Sequence, residues 1–410
     1  MTNLFGNNLR YDLKASLVVF LVALPLCLGI AIASGAPPMS GLLAGIIGGI
    51  IVGAFSKSHV SVSGPAAGLT VIVLDSISSL GTFELFLGSL VAAGLIQLIL
   101  GFANAGVLGY YFPHSVIKGM LTAIGLILIL KQIPHALGYD KDFIGDFAFQ
   151  QMDKHNSFTE IYYAFQYYSP GAIPIVLIAL AILIFFERPQ VKNHKLLGAV
   201  PGALWAVLSG ILINNLYSKF QPEWLLKDEH LVSIPSLSSL SQLPSLLTFP
   251  DFGLIADSAF WIVAVTLAVI GSIETLLSIE AGDKMDPYKR ITPSSRELIA
   301  QGIGNTLSGL IGGLPVTAVI VRTSANIASG ARTKLSAILH GVLLMVLVLS
   351  IPGVLNQIPL SCLAAVLFMV GYKLAKPSIF IHEFEKGWNQ FLPFIFTVIA
   401  ILLTDLLIGI

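Results

Sequence analysis

The chain has 410 residues, 55% of them hydrophobic and 11% charged, against about 25% charged residues in a soluble globular domain. A mean hydropathy of +0.87, with 38 glycines and 21 prolines spread through apolar runs, excludes a soluble domain, a coiled coil and a disordered chain, which all need more polar sequence. Lys plus Arg and Asp plus Glu balance at 22 each, so no excess of base marks a nucleic-acid surface, and the composition is that of an all-α polytopic membrane protein.

Each membrane span takes about 20 residues. The first apolar run, 13 to 34, follows a segment without the small-residue cleavage pattern of a signal peptide and is expected to stay as a helix. The second covers 39 to 55, and the third, 66 to 80, is short and opens directly after Ser63-Gly64-Pro65. Runs at 84 to 103, 113 to 134, 171 to 186 and 197 to 216 follow, with outer loops at 138 to 170 and 218 to 256 that hold no membrane-length run. The series then continues at 257 to 281, 294 to 311, 317 to 329, 334 to 351, 359 to 374 and 391 to 410. Its tenth member is again short and follows Gly312-Gly313-Leu314-Pro315.

The interrupted runs are the third and tenth of thirteen. Broken spans in corresponding positions are the signature of an inverted repeat, here of seven plus seven helices, whose half-helices meet near the bilayer midplane. On that count a fourteenth span is missing from this sequence. With the N-terminus in the cytoplasm, sixteen of the 22 basic residues fall on the inner side. Lys131, Lys141, Lys154, Lys219 and Lys227 fall outside, and Arg322 lies inside a span, so the positive-inside rule favours that orientation.

Backbone that is not helical at membrane depth is tolerated only where it is buried or lines a cavity, so the two breaks should face each other. The segments His59 to Gly68 and Pro315 to Val321 are expected to be extended stretches leading into two half-helix N-termini. Such N-termini carry free N–H groups and partial positive charge, which suits an anion between them. Ionisable residues inside spans are functional candidates by default. Glu274 shares a helix face with Gly271 and Ser278 and is a candidate to bind a proton or cation coupled to transport. Arg322 either adds positive potential behind the anion or pairs with Glu274. Gln97, Asn305, Asn326 and His340 read as hydrogen bonds between helices. Glu280 and Asp405, near span ends, take no site role. Cys27 and Cys362 read as small buried residues, without disulfide or metal. No His-Glu-x-x-His or comparable motif of an intramembrane enzyme is present.

Four stretches in this order, ALPLCLGIAIASGAPPMSGLLAG, SVSGPAAG, GSIETLLSIEAGDK followed by SSRELIAQGIGNTLSGLIGGLP, and VRTSANIASGARTKLSA, make nearly the whole chain resemble the sulfate permease (SulP) family of anion transporters, which includes bicarbonate transporters. The resemblance implies a core domain of spans 1 to 4 and 8 to 11 and a gate domain of spans 5 to 7 and 12 to 14. Along this chain, 1–134 would hold the first core helices with span 5, and 135–256 gate helices with the outer loops. Residues 257–351 would hold the second core helices and 352–410 the remaining gate helices, with no STAS domain. An elevator-like shift of core against gate would give alternating access. Family contacts fall on Leu26, Cys27 and Ile30 of span 1, on Ser63, Ala66 and Ala67 of span 3, and on Ala318, Val319, Ile320, Val321 and Arg322 of span 10. The coupling residues would be Glu274 and Ser278.

Many members carry a glutamine and an aromatic where Leu26 and Ile30 stand, which reduces side-chain hydrogen bonding to the substrate here. Sodium-coupled bicarbonate members have Asp at Glu274 and Thr at Ile320. A hard cation needs several oxygen ligands, so a proton is favoured over sodium. The expectation is secondary transport of a small inorganic anion, bicarbonate ahead of sulfate, by a multi-pass protein of the plasma membrane with no cofactor beyond the coupling ion. An anion exchanger, an uncoupled channel and a dicarboxylate transporter of the same fold are the alternatives. Homodimer formation is left open by the missing cytosolic domain.

Overall fold

A computed structural model describes residues 8–107, 113–141, 157–192, 200–234 and 247–404. In chain order its main helices are α1 (Leu9–Ala33), α2 (Pro38–Phe55), α3 (Ala67–Leu80), α4 (Phe83–Phe102), α5 (His114–Leu137), α6 (Ser157–Gln166), α7 (Ala172–Glu187) and α8 (Gly202–Phe220). There follow α9 (Ser258–Met285), α10 (Ser294–Ile311), α11 (Ile320–Ala328), α12 (Leu335–Ser350), α13 (Leu360–Leu374), α14 (Pro377–Glu385) and α15 (Trp388–Leu403). Two three-residue strands, β1 (Ser63–Pro65) and β2 (Val316–Ala318), precede the short helices α3 and α11. Every apolar run of the sequence contains a helix. Among the described residues, six helical stretches are long and apolar enough to cross a bilayer: α1, α2, α4, α5, α9 and Leu360–Glu385. Outer loop 138 to 170 contains α6, too short to span; Lys154, Lys195 and Asp405 lie outside the described residues.

The chain divides into two compact units, residues 1–112 with 235–350, and 113–234 with 351–410. In the first, α1, α3, α4, α9 and β2 contribute Ile30, Leu69, Phe86, Leu90, Leu267 and Val316 to one buried cluster. Helices α4 and α10 approach closely because both present glycine. A Cβ on Gly302 would lie 2.7 Å from the Leu98 backbone nitrogen, and small residues of this kind let packing replace the hydrophobic drive that lipid removes. Buried Asp12 of α1 accepts from the amides of Arg332 (2.7 Å) and Thr333 (3.0 Å) and from the Thr333 hydroxyl (2.5 Å), which fastens the start of α1 to the turn before α12.

The second unit holds α5 to α8 and α13 to α15 and is braced by charge pairs at its helix ends. Glu383 accepts from Lys118 (2.5 Å) and Lys386 (2.7 Å), and Glu187 pairs with Lys373. Asp140, just past α5, bridges the Nδ1 atoms of His135 (2.5 Å) and His230 (2.7 Å). Burial alone would raise the Asp140 carboxyl, but hydrogen bonds from the two imidazoles outweigh it and hold the group below the ordinary aspartate value.

Candidate functional site

The two interrupted segments meet as an antiparallel ribbon, with Ser63 opposite Ala318, Gly64 opposite Thr317 and Pro65 opposite Val316. Further backbone bonds extend it, from the Ala66 amide to the Pro315 carbonyl (3.3 Å) and from the Val319 amide to the Val62 carbonyl (3.0 Å). The chain then enters helix on both sides, α3 from Ala67 and α11 from Ile320. Ile320 and Val321, expected in the extended stretch, are therefore the first two residues of α11. In that position their amides have no acceptor within the helix.

Neighbouring helices satisfy the rest of the irregular backbone, as burial at membrane depth requires. Most of this support comes from one face of α10. Glu297, Gln301, Asn305 and Ser308 follow at intervals of four, four and three residues and so align. Glu297 accepts from the Ser56 hydroxyl, at the end of α2. Gln301 Nε2 donates to Ser63 Oγ (2.8 Å) and Glu297 Oε1 (3.2 Å). Asn305 Oδ1 accepts from the Val316 amide (2.6 Å), while its Nδ2 donates to the Val316 carbonyl (2.9 Å) and to Gln97 Oε1 (2.7 Å). Ser308 Oγ donates to the Leu314 carbonyl (2.6 Å). From other helices, Asn326 Nδ2 donates to the Val60 carbonyl (2.8 Å) and Thr275 Oγ1 accepts from the Ala318 amide (3.3 Å). Gln97, Asn305 and Asn326 thus hold helices and ribbon together, as their sequence context predicts.

Arg322, in the first turn of α11, is 0% exposed. Its guanidinium approaches Gly64 so closely that any Cβ there would overlap Nη1, so glycine in β1 is what lets the cation reach the ribbon. Nη2 donates to Cys27 Sγ of α1 at 3.2 Å. Among the described residues, Nε and Nη1 have no acceptor and no carboxylate lies within ion-pair distance. The expected alternative of an Arg322–Glu274 ion pair is absent among the described residues. His340 on α12 is likewise fully buried with both ring nitrogens unpartnered.

Glu274 is 5% exposed and reaches the start of the other short helix. The Gly68 amide donates to its carboxylate, and Thr317 Oγ1 approaches it. That approach is loose: among the described residues, Thr317 Oγ1 and Glu274 Oε2 have no hydrogen-bond partner. Ser278 lies buried one turn further along α9.

The residues singled out in the sequence therefore fall around one ribbon without all facing the same way. Cys27 and Arg322 touch. Ile30 and Ala66 share a buried cluster against which Ala67 packs. Leu26, Val319, Ile320 and Val321 are buried. The Ser63 side chain turns to α10, and Ala318 packs with Leu276, Ile279 and Leu298 instead of with Ile30. Glu297 and Gln301 do not stand out in the sequence, because neither looks unusual beside charged neighbours. The signal that finds them is the single-face polar series along α10.

Comparison with known proteins shows the family and the fold. The model of the sulfate permease family matches residues 9–398. YvdB of Bacillus subtilis, a protein named as a sulfate transporter, is 28% identical over 89% of this chain and 64% of its own length. The bicarbonate transporter BicA of Picosynechococcus is 27% identical over 98% of this chain and 68% of its own length. The chain thus spans about two thirds of these relatives. Among solved structures, the transmembrane domain of a cyanobacterial BicA superposes with a TM-score of 0.68 at 26% identity, covering 98% of this chain and 97% of that one. SLC26A9, at 16% identity and a TM-score of 0.65 over 97% of this chain and 63% of that one, shows the shared fold alone.

Proposed function

The chain belongs to the sulfate permease family, a multi-pass membrane family whose relatives here are transporters and not enzymes, and on that premise we propose that it is a secondary transporter of a small inorganic anion, bicarbonate ahead of sulfate. The observation that carries the reading is Arg322, a buried guanidinium on the ribbon, with two donor nitrogens unused and no acid paired with it among the described residues. An unpaired charge in such a place costs several kcal/mol, which a bound anion offsets. Leu26, Ile30, Ala66 and Ala67 offer few side-chain hydrogen bonds, which suits a small monoanion better than sulfate with its four oxygens.

Glu274 is the coupling group in this reading. Its carboxylate takes the Gly68 amide at the N-terminus of α3, so an arriving anion meets a negative charge there until a cation neutralises it. A proton does this without further ligands. Sodium needs several oxygens, and Ile320 supplies none. The inverted repeat, the half-helix character of α3 and α11, and an elevator-like movement of the unit that carries the site complete the proposal, with the N-terminus in the cytoplasm and the protein in the plasma membrane. The test is uptake of labelled bicarbonate, sulfate and a dicarboxylate into proteoliposomes by wild type and Arg322→Gln. Saturable bicarbonate uptake that the substitution weakens at least tenfold supports the reading; equal uptake by both proteins contradicts it.

A further inference from the structure

We propose that the Thr317 hydroxyl carries the protonation state of Glu274 to the anion: it donates to the ionised carboxylate, and turns to donate to the anion when Glu274 gains a proton. The inference rests on the reading above, with Arg322 as the anion-binding group and Glu274 as the coupling group. Side chains opposed in an antiparallel pair project from the same face of a ribbon. Thr317 is opposed to Gly64, where a Cβ would overlap Arg322 Nη1, so Thr317 and the guanidinium share a face. Ser63, one residue before Gly64, faces the other way, onto α10. Opposed Cβ positions are about 4.5–5.5 Å apart, which puts Thr317 Cβ within about 7 Å of Nη1. One small oxyanion spans that gap.

Thr317 is 0% exposed, and its Oγ1 has no hydrogen-bond partner among the described residues. Its methyl group rests on α9, 3.6 Å from where Gly271 would carry a Cβ, and its hydroxyl approaches Glu274, one turn further along that face. Glu274 in turn lies along the start of α3, where a Cβ on Gly68 would be 3.3 Å from both carboxylate oxygens. The Gly68 amide donates to this carboxylate, while Oε2 has no partner among the described residues. A hydroxyl has one proton and two lone pairs, and an ionised carboxylate only accepts. With Glu274 ionised, Thr317 donates to it and presents only lone pairs to the anion position. With a proton on Oε2, the carboxyl donates to Thr317 Oγ1, and the Thr317 proton is free for the anion. The added proton stays on Glu274, and the hydroxyl only rotates about its Cβ–Oγ1 bond. Protonation and anion binding then favour each other, which is the sign symport needs. The other titratable groups beside Arg322 are Cys27 of α1, which accepts from Nη2, and His340 of α12, which feels the Arg322 charge.

The test measures KM for labelled bicarbonate exchange in proteoliposomes across pH, equal on both sides and counted as the bicarbonate ion, with thermal melting in detergent as the check on folding. On the acid side of the Glu274 titration the isostere Thr317→Val should raise KM about tenfold, the size of one hydrogen bond to a charged group. On the alkaline side it should leave KM nearly unchanged, because the carboxylate already holds the hydroxyl. Glu274→Gln fixes the protonated arrangement, since the Gly68 amide takes the glutamine oxygen and leaves its NH2 facing Thr317. In that background Thr317→Val should raise KM by the same factor at every pH, and Thr317→Ser should behave as threonine in both backgrounds. His340→Gln should leave the pattern in place; its disappearance would assign the titration to His340 and overturn the inference. An equal rise in KM at every pH in the presence of Glu274 would make Thr317 a brace only, and no rise in the Glu274→Gln background would also overturn the inference. Either failure leaves the role of Arg322 standing, whereas Arg322→Gln with wild-type KM overturns the reading on which the inference rests. If Thr317→Val fails to reconstitute, Thr317→Ala decides by the same criteria.

Discussion

Arg322 lies in the first turn of α11 and Glu274 reaches from α9 to the start of α3, and among the described residues each buried group is left incompletely satisfied. Buried charges in proteins are normally paired or neutralised, and on the proposed reading the two idle donor nitrogens of Arg322 are kept for an anion that comes and goes. The empty protein bears that cost. Arg322→Gln should therefore raise the melting temperature of the anion-free protein while removing the stabilisation that bicarbonate adds. In the wild type, anion at about a hundredfold excess over its dissociation constant should contribute about 2.7 kcal/mol, and thermal melting with and without bicarbonate measures both effects. Asp140 in the other unit makes a different prediction. Its carboxyl is held below the ordinary value of about 3.9 by His135 and His230, so its contribution to stability is complete above that value and is lost as pH falls through the lower folded value. Asp140→Asn should lower stability by about 1–3 kcal/mol at neutral pH and flatten the loss below pH of about 4, which melting curves across pH will show.

At the scale of elements, α10 decides whether the ribbon can exist. Asn305 alone satisfies both backbone groups of Val316 and the Gln97 carbonyl oxygen. Asn305→Leu strands all three and should cost about 2–5 kcal/mol, read as a lower unfolding midpoint in detergent, with a larger loss than Asn326→Leu, which frees one carbonyl. Much of this architecture is legible in the sequence because the bilayer imposes a length on each span and because glycine and proline at Ser63-Gly64-Pro65 and Gly312-Gly313-Leu314-Pro315 mark where helices stop. The facing of the two breaks also follows, since unsatisfied backbone at that depth must find a partner. The register of the ribbon and the start of α11 at Ile320 do not follow, because they depend on pairing between segments about 250 residues apart and on which side chain of α10 reaches which carbonyl. Ser63 illustrates the limit. Its place beside the break was readable, but the bond that turns its side chain to Gln301 was not, because that glutamine carries no mark of its own until the face of α10 is drawn.

For the whole molecule, the candidate anion and coupling residues all belong to the unit formed by residues 1–112 and 235–350, which suits a carrier whose site travels as one body. Net charge is zero, and in the proposed reading the attraction for an anion would come from helix termini and one arginine inside that unit instead of from a basic surface. The central claim is that anion transport is coupled to a cation held by Glu274. The measurement that tests it most directly is uptake of labelled bicarbonate into proteoliposomes under imposed proton and sodium gradients, for wild type and Glu274→Gln, beside exchange at equal concentrations on both sides. A proton gradient should drive accumulation by the wild type, a sodium gradient should not, and Glu274→Gln should lose the accumulation while retaining exchange. Gradient-driven accumulation unchanged in Glu274→Gln would contradict it.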